Sequence, residues 1–164
     1  MTTPGDKSEV DLDDLVARIA APGSADDDLS VRFARMYLSR IPEPRLAAFP
    51  EDELAAHVAG LFEFAAQRSG DEIAIRVFNP SLETDGYESV GAVVEVAAPD
   101  MAFLVDSISN EIQASGLAVE RVIHPVVGTS RDADGRLVEI KPARTSMLRE
   151  SIQHYELNER ISSD

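Results

Sequence analysis

The chain of 164 residues contains no cysteine and no tryptophan, and aromatic residues make up only 5% of it. Without cysteine there is no disulfide, no thiolate metal ligand and no cysteine nucleophile, a composition that fits the cytoplasm. The scarcity of aromatic rings argues against the stacking surfaces with which proteins bind single-stranded nucleic acids. We therefore expect a cytoplasmic protein, and any chemistry it performs must use other side chains.

Long apolar runs are also missing. No segment approaches the roughly 18 apolar residues of a membrane helix, and the polar, acidic N-terminal sequence MTTPGDKSEVDLDD is unlike a signal peptide. Basic residues are half as numerous as acidic ones, 15 against 30, which gives a net charge of −15. Because this charge repels polyanions, we expect neither nucleic acid nor a membrane as a partner.

The first seventy residues show the spacing of short amphipathic helices. We expect residues 1–7 to be disordered and residues 8–70 to form a helical N-terminal region. Each segment has one apolar face that must be buried, and proline or glycine closes it. The three apolar stripes are Leu12, Leu15, Val16 and Ile19; Leu29, Phe33, Met36 and Tyr37; and Leu54, Val58, Leu61, Phe62 and Ala65.

After Gly70 the apolar period falls to two residues, which is typical of β-strands. One helix interrupts the strands and ends at Gly116, and an Asp-Gly turn within 130–137 predicts a hairpin. Strand–helix–strand–strand order is the first half of a ferredoxin-like sheet. The sequence therefore predicts an α+β fold with a partial, mainly antiparallel sheet and one crossover helix in residues 71–160. The predicted strands are 72–78, which could fill a sheet edge, 90–98, 117–127 and 150–159.

The start of the crossover helix admits two interpretations. Asp100 follows Pro99 at the expected N-cap position, where its carboxylate would accept hydrogen bonds from otherwise unpaired amides. Alternatively, the loop at Asp100, Met101 and Ala102 receives an anion or an amino-acid carboxylate on free amides. A capping aspartate would occupy those amides and so counts against the ligand. The apolar stripe of this helix is Met101, Leu104, Val105, Ile108 and Ile112.

No catalytic, cofactor-binding or metal-binding residues are predicted. His57, His124 and His154 do not lie at metal-ligand spacing, and His57 is expected at the edge of a packed helix face. The sequence DADG at 132–135 lacks the remaining ligands of a calcium loop. Asp106 is expected to be a surface acid. Phosphate-binding, dinucleotide-binding and nucleophile-elbow motifs are all missing from the sequence.

Several short blocks resemble the N-terminal region of the very large NAD-specific glutamate dehydrogenases of bacteria. That family has a motif close to DMPFLVDS, then a helix, a strand running into HP, an RDxxG turn and an ESxxH strand. The resemblance covers roughly residues 90–157, and Ala102 stands where the family has proline. The matching residues are Asp100, Met101, Phe103 to Ser107, His124-Pro125, Arg131-Asp132, Gly135, Glu150-Ser151 and His154.

This resemblance implies a segment of a multidomain enzyme that deaminates L-glutamate to 2-oxoglutarate and ammonia while reducing NAD. The family's catalytic lysines and NAD-binding glycines lie in a later domain, so none is carried onto this chain. Its N-terminal region contains ACT-like modules, which in other enzymes bind amino acids and join subunits. The implied partners are later domains of the same polypeptide, other subunits of a homo-oligomer and an amino-acid effector.

Two kinds of function stay open at this stage. The segment is either an interaction scaffold, within the enzyme or as a stand-alone domain, or a sensor that binds an amino acid at Asp100, Met101 and Ala102. We favour the scaffold because capping explains Asp100 without a ligand. An independent small enzyme would need a nucleophile–base pair or a metal cluster, and the sequence shows neither.

Overall fold

The computed structural model describes residues 11–19, 27–69 and 72–162. The predicted α+β order, with helices first and an ACT-like sheet second, is confirmed. The expected disorder of residues 1–7 lies outside the described residues, and the predicted domain boundaries stay predictions. The helices are α1 (Leu12–Ile19), α2 (Asp27–Leu38), α3 (Glu43–Leu46), α4 (Glu51–Ala66) and α5 (Leu104–Ala114). The strands are β1 (Ala74–Phe78), β2 (Val93–Pro99), β3 (Val119–Ile123), β4 (Val126–Arg131), β5 (Leu137–Pro142) and β6 (Arg149–Leu157).

The six strands form one antiparallel sheet in the order β1-β2-β6-β4-β5, with β3 also paired to β6. β6 pairs with β2 along one side, and along the other with β3 and β4, which lie end to end. The prediction of one strand over 117–127 is therefore wrong. The break falls at His124-Pro125, because proline has no N–H to donate to a sheet ladder. The expectation that 72–78 fills an edge is confirmed by β1.

The sheet is covered by helices on both faces. Alternate residues of β2 and β6 point to opposite sides, so Ala97 and Ile152 join the core beneath α1, α2 and α4, while Val96 and Tyr155 face α5. β2 is buried along both faces from Val93 to Ala98, as its run of valines predicts for a central strand.

The helical layer follows the predicted apolar stripes. The carboxylate of Asp11 accepts hydrogen bonds from the amides of Asp13 and Asp14, which caps α1.

The short helix α3 was not predicted. The sequence pattern indicated only a stop at Pro42 and Pro44, yet these prolines begin the helix. Proline fits there because the first turn of a helix needs no intrahelical N–H donor.

Helix α5 lies on the opposite face of the sheet and contains no fully buried residue. Its residues Leu104, Ile108 and Ile112 are partly buried against β2 and β6. The predicted stop at Gly116 is confirmed by its φ of +84°, a left-handed conformation that glycine adopts without strain. No helix in the described part of the chain is long and apolar enough to cross a membrane.

Candidate functional site

The loop between β2 and α5 departs from the predicted cap. Helix α5 begins at Leu104, four residues after Asp100, and its N-cap residue is Phe103, which makes no side-chain capping hydrogen bond. The amide of Asp100 instead donates to the carbonyl of Arg149 at 2.9 Å and so continues the β2–β6 ladder. The prediction that Asp100 caps the crossover helix is wrong, because the strand extends further than its sequence pattern indicates.

Phe103 is the one non-glycine residue with positive φ in the described ranges, with φ 62° and ψ 11°. The left-handed region is costly for a side chain of this size. The ring gains little burial in return, because 77% of Phe103 is exposed. Met101, which the sequence placed in the helix stripe, lies before the helix and is also exposed, at 47%.

The loop that carries these two side chains adjoins a second segment with exposed apolar side chains. The Asp100–Arg149 hydrogen bond brings the loop beside the connection from β5 to β6, where Met147 and Leu148 are also exposed. Asp100 and residues 146–149 line a shallow depression of about 610 Å³. We call Met101, Phe103, Met147 and Leu148 the loop-end patch. Exposed apolar clusters of this kind mark interaction surfaces.

A buried ion cluster lies next to this patch. The carboxylate of Glu150 accepts hydrogen bonds from Thr129 at 2.8 Å and from Arg131 at 2.7 and 2.8 Å, and its Oε1 lies 2.9 Å from Nη2 of Arg68. We call these four residues the Glu150 cluster. They line a cleft of about 370 Å³ that also contains Asp132, Leu148 and Arg149. Burial of the Glu150 carboxyl opposes its ionisation, but the arginine hydrogen bonds outweigh burial and lower its pKa.

Arg131 uses all five of its N–H donors within the protein. Besides its two bonds to Glu150, it donates to the carbonyls of Ala65, Ala66 and Gly135. The first two carbonyls belong to the last turn of α4, which has no intrahelical donor for them. Arg131 therefore fastens the end of α4 to the sheet. Because none of its donors is left for a ligand, Arg131 acts as a structural clamp.

A second polar cluster is buried between α4 and the sheet. Nδ1 of His154 lies 3.0 Å from the Glu95 carboxylate, and Arg76 pairs with the same carboxylate at 2.5 Å. His57 contacts His154 ring to ring, with centroids 4.2 Å apart, and its Nε2 lies 2.7 Å from the Tyr37 hydroxyl. His57 is only 3% exposed, so it lies within the packed face and not, as predicted, at its edge.

The two histidines of this cluster differ in their affinity for a proton. Burial disfavours the charged form of His154, but the carboxylates of Glu156 and Glu95 outweigh it and raise the pKa of His154. Burial lowers the pKa of His57 well below its usual value, and the neighbouring His154 and Arg76 lower it further. A proton taken up by this pair is therefore favoured on His154 over His57.

The remaining predicted positions take no part in either cluster. His124 and Asp106 are exposed, and Asp132 serves the hairpin turn, accepting from the amides of Asp134 and Arg136. Within the described ranges no three histidine or carboxylate side chains come together as a metal site would require. Sequence reasoning missed both buried clusters. The sequence does contain a sign of them, namely charged residues at strand positions where the neighbouring residues are apolar. Glu95 within VGAVVEVAA is an example.

This geometry defines the class of the protein. It is an α+β domain with an ACT-like antiparallel sheet, and buried ion pairs hold its helices to that sheet. The family model described as the glutamate dehydrogenase ACT1 domain matches residues 33–164, and the chain belongs to this family. The family recognised in the sequence is therefore confirmed.

Two relatives agree with this assignment. The NAD-specific glutamate dehydrogenase of Pseudomonas aeruginosa is 29% identical over 129 residues, covering 77% of this chain and 8% of the relative. The enzyme of the same name from Halomonas elongata is 30% identical over 108 residues, covering 66% of this chain and 7% of the relative. The chain thus spans less than a tenth of these relatives' length. No solved structure gives a significant match.

Proposed function

We propose that the chain is a non-catalytic assembly and regulatory segment of a large cytoplasmic NAD-dependent glutamate dehydrogenase. The parent reaction would convert L-glutamate, NAD and water to 2-oxoglutarate, ammonia and NADH. Membership of the ACT1 family and the names of the two relatives support the parent enzyme. NAD would be bound by a later domain, so no cofactor residue is assigned to this chain.

The loop-end patch is the observation that carries the assembly role. Its four apolar side chains are between 47% and 101% exposed, and one of them, Phe103, is held in a costly left-handed conformation. Backbone strain at an exposed ring is consistent with selection for contact and not for stability. The partner we assign to this patch is a later domain of the same polypeptide. By contrast, the arginines of the Glu150 cluster are engaged in holding the fold together.

The test compares two exposed apolar sites in the long enzyme. A double variant, Phe103→Ser with Met147→Ser, should weaken docking of the segment and lower NAD reduction or subunit assembly by about tenfold, as for a central contact. Val90→Ser is the matched control, because Val90 is 86% exposed but precedes the opposite end of β2. Light scattering and glutamate-dependent NAD reduction are measured on both variants and on an enzyme lacking residues 1–164. The assembly role is wrong if the double variant and the truncated enzyme match the wild type.

An effector sensor at Asp100, Met101 and Ala102 is the second candidate. One observation favours it: the first turn of α5 has no side-chain cap, so the objection that Asp100 occupies those amides no longer holds. Hydrogen exchange tests it with each amino acid in turn. Because the Asp100 amide already donates to Arg149, new protection should appear at Met101 and Ala102. Unchanged exchange with every amino acid would contradict a sensor and leave the assembly role standing.

A further inference from the structure

Strand β1 leaves one backbone edge of the sheet open. β1 pairs with β2 on one side, and on its other side no strand among the described residues pairs with it. An unpaired edge presents a row of N–H and C=O groups that can accept another strand. Proteins that stay monomeric protect such edges with charges, proline or bulges.

The two edges of this sheet differ in that protection. β5, at the far edge, carries Glu139, Lys141 and Pro142, and a bulge interrupts its pairing with β4. The sole charged residue of β1 is Arg76. Its guanidinium is directed to the Glu95 carboxylate and to the carbonyl of Gly60. The β5 edge is therefore protected against strand addition, whereas the β1 edge is not.

The side chains of β1, together with Ile73 just before it, add an apolar stripe to this open edge. Ile73, Ile75 and Val77 are 45%, 58% and 48% exposed and share one face of the strand because they alternate along it. That face is the one on which α5 packs, since Ile75 is opposite Val96 and Val77 is opposite Val94. Helix α5 does not extend far enough to bury the stripe.

We propose that β1 pairs with β1 of a second copy of this chain, antiparallel, about a two-fold axis at Ile75. In this register Ile75 faces its own copy and Ile73 faces the partner's Val77, so every exposed apolar residue of the stripe meets another. Such cross-strand apolar pairs are the contacts that stabilise a sheet.

Neighbouring registers match less well. With the axis at Arg76, two arginines would lie directly opposite each other, which is unfavourable. With the axis at Ala74, Val77 would lose its apolar counterpart. The sequence of the stripe is therefore self-complementary about one residue. This identifies a second copy, and not an unrelated strand, as the partner that fits the edge.

This interface rests on the proposed function in one respect, since it names one partner of the assembly segment. It uses the β1 edge and not the loop-end patch. If the pairing fails, the expected effect of the Phe103 and Met147 substitutions on the long enzyme is unaffected. If docking of the patch fails, the pairing can still be measured in the isolated chain.

Single cysteines test the register in the 164-residue chain, which has no cysteine of its own. Ile75→Cys should form an intermolecular disulfide, because a residue on the axis faces its copy within the roughly 7 Å between Cα atoms that a disulfide can span. Ile73→Cys and Val77→Cys are the matched controls. Each lies about 13 Å along the strand from its own copy, so neither should cross-link alone, but a mixture of the two should.

Sedimentation equilibrium tests the association itself. Wild type should dimerise as its concentration rises, and Ile75→Lys should weaken the dimer by about tenfold or more by placing two like charges opposite each other. Val138→Lys, an exposed residue of the other edge strand, should leave the association unchanged. A wild type that stays monomeric, an unaffected Ile75→Lys dimer, or cross-linking of Ile73→Cys alone would each overturn the proposal.

Discussion

The imidazole rings of His57 and His154 meet edge to face, with centroids 4.2 Å apart and planes inclined at 82°. His57 comes from α4 and His154 from β6, so the contact joins the helical layer to the sheet. Glu95 and Glu156 face His154, while Tyr37 and Tyr87 lie against His57. The carboxylates favour the charged form of His154, whereas burial, His154 and Arg76 disfavour the charged form of His57.

This pair predicts a stability maximum near pH 6.5, the usual pKa of histidine. The raised pKa of His154 contributes stability that is complete below 6.5 and is lost as pH rises through the folded-state value. The lowered pKa of His57 acts in the opposite direction: below 6.5 the unfolded chain gains a proton that the folded chain does not bind, so stability falls on acidification.

Urea unfolding between about pH 5.5 and 8.5 measures this profile. His154→Gln should remove the alkaline decline, and the exposed His124 supplies the control, since His124→Gln should keep the wild-type profile. A His154→Gln chain whose stability declines above pH 6.5 as steeply as wild type would show that the proton is held elsewhere.

The Glu150 cluster should be far more sensitive than an exposed carboxylate on the same sheet. Glu150→Gln leaves Arg68 and Arg131 buried without their counter-ion, a change that typically costs about 3–5 kcal/mol. Glu139 also pairs with a cation, Lys141, but its side chain is 46% exposed, so solvent screens the pair and Glu139→Gln should change the stability little. Equal losses in urea unfolding would mean that Glu150 is not a clamp.

Two glycines with the same backbone conformation allow the cost of backbone strain to be distinguished from the cost of steric crowding. Gly116 and Gly135 have φ of +84° and +82°, so alanine at either costs about 1 kcal/mol in backbone strain. A Cβ at Gly116 meets nothing within 4 Å, whereas at Gly135 it would lie 2.4 Å from the carbonyl oxygen of Arg68. Gly135→Ala should therefore lower the melting temperature at least twice as much as Gly116→Ala. Equal shifts would contradict the close packing of the segment after α4, at Arg68, on the hairpin.

Phe103 should show a trade-off between stability and docking. Phe103→Gly relieves the left-handed strain while losing little burial, so the isolated chain should gain about 1 kcal/mol. Phe103→Ala removes the same ring but keeps a Cβ, so it should gain nothing. Both variants should dock equally poorly in the long enzyme. Loss of stability in Phe103→Gly would show that the ring contributes to the fold.

The sequence by itself determined the helices other than α3, the central β2, the Asp-Gly hairpin and the glycine stop, because these depend on period and local backbone preference. It also carried the family motifs. It did not determine where α5 begins, since the backbone hydrogen bond from Asp100 to Arg149, just beyond the end of β2, depends on a strand distant in the sequence.

Tertiary structure alone decided the two buried clusters and the open edge. Glu150 and Arg131 are nineteen residues apart, and His57 and His154 belong to different layers; no local pattern relates them. The exposure of the β1 side chains could not be predicted from the sequence either, because the apolar alternation of β1 is the same whether or not its face is covered. Only the path of α5 leaves the stripe of Ile73, Ile75 and Val77 uncovered, and burial of apolar area depends on neighbours that the local sequence does not specify.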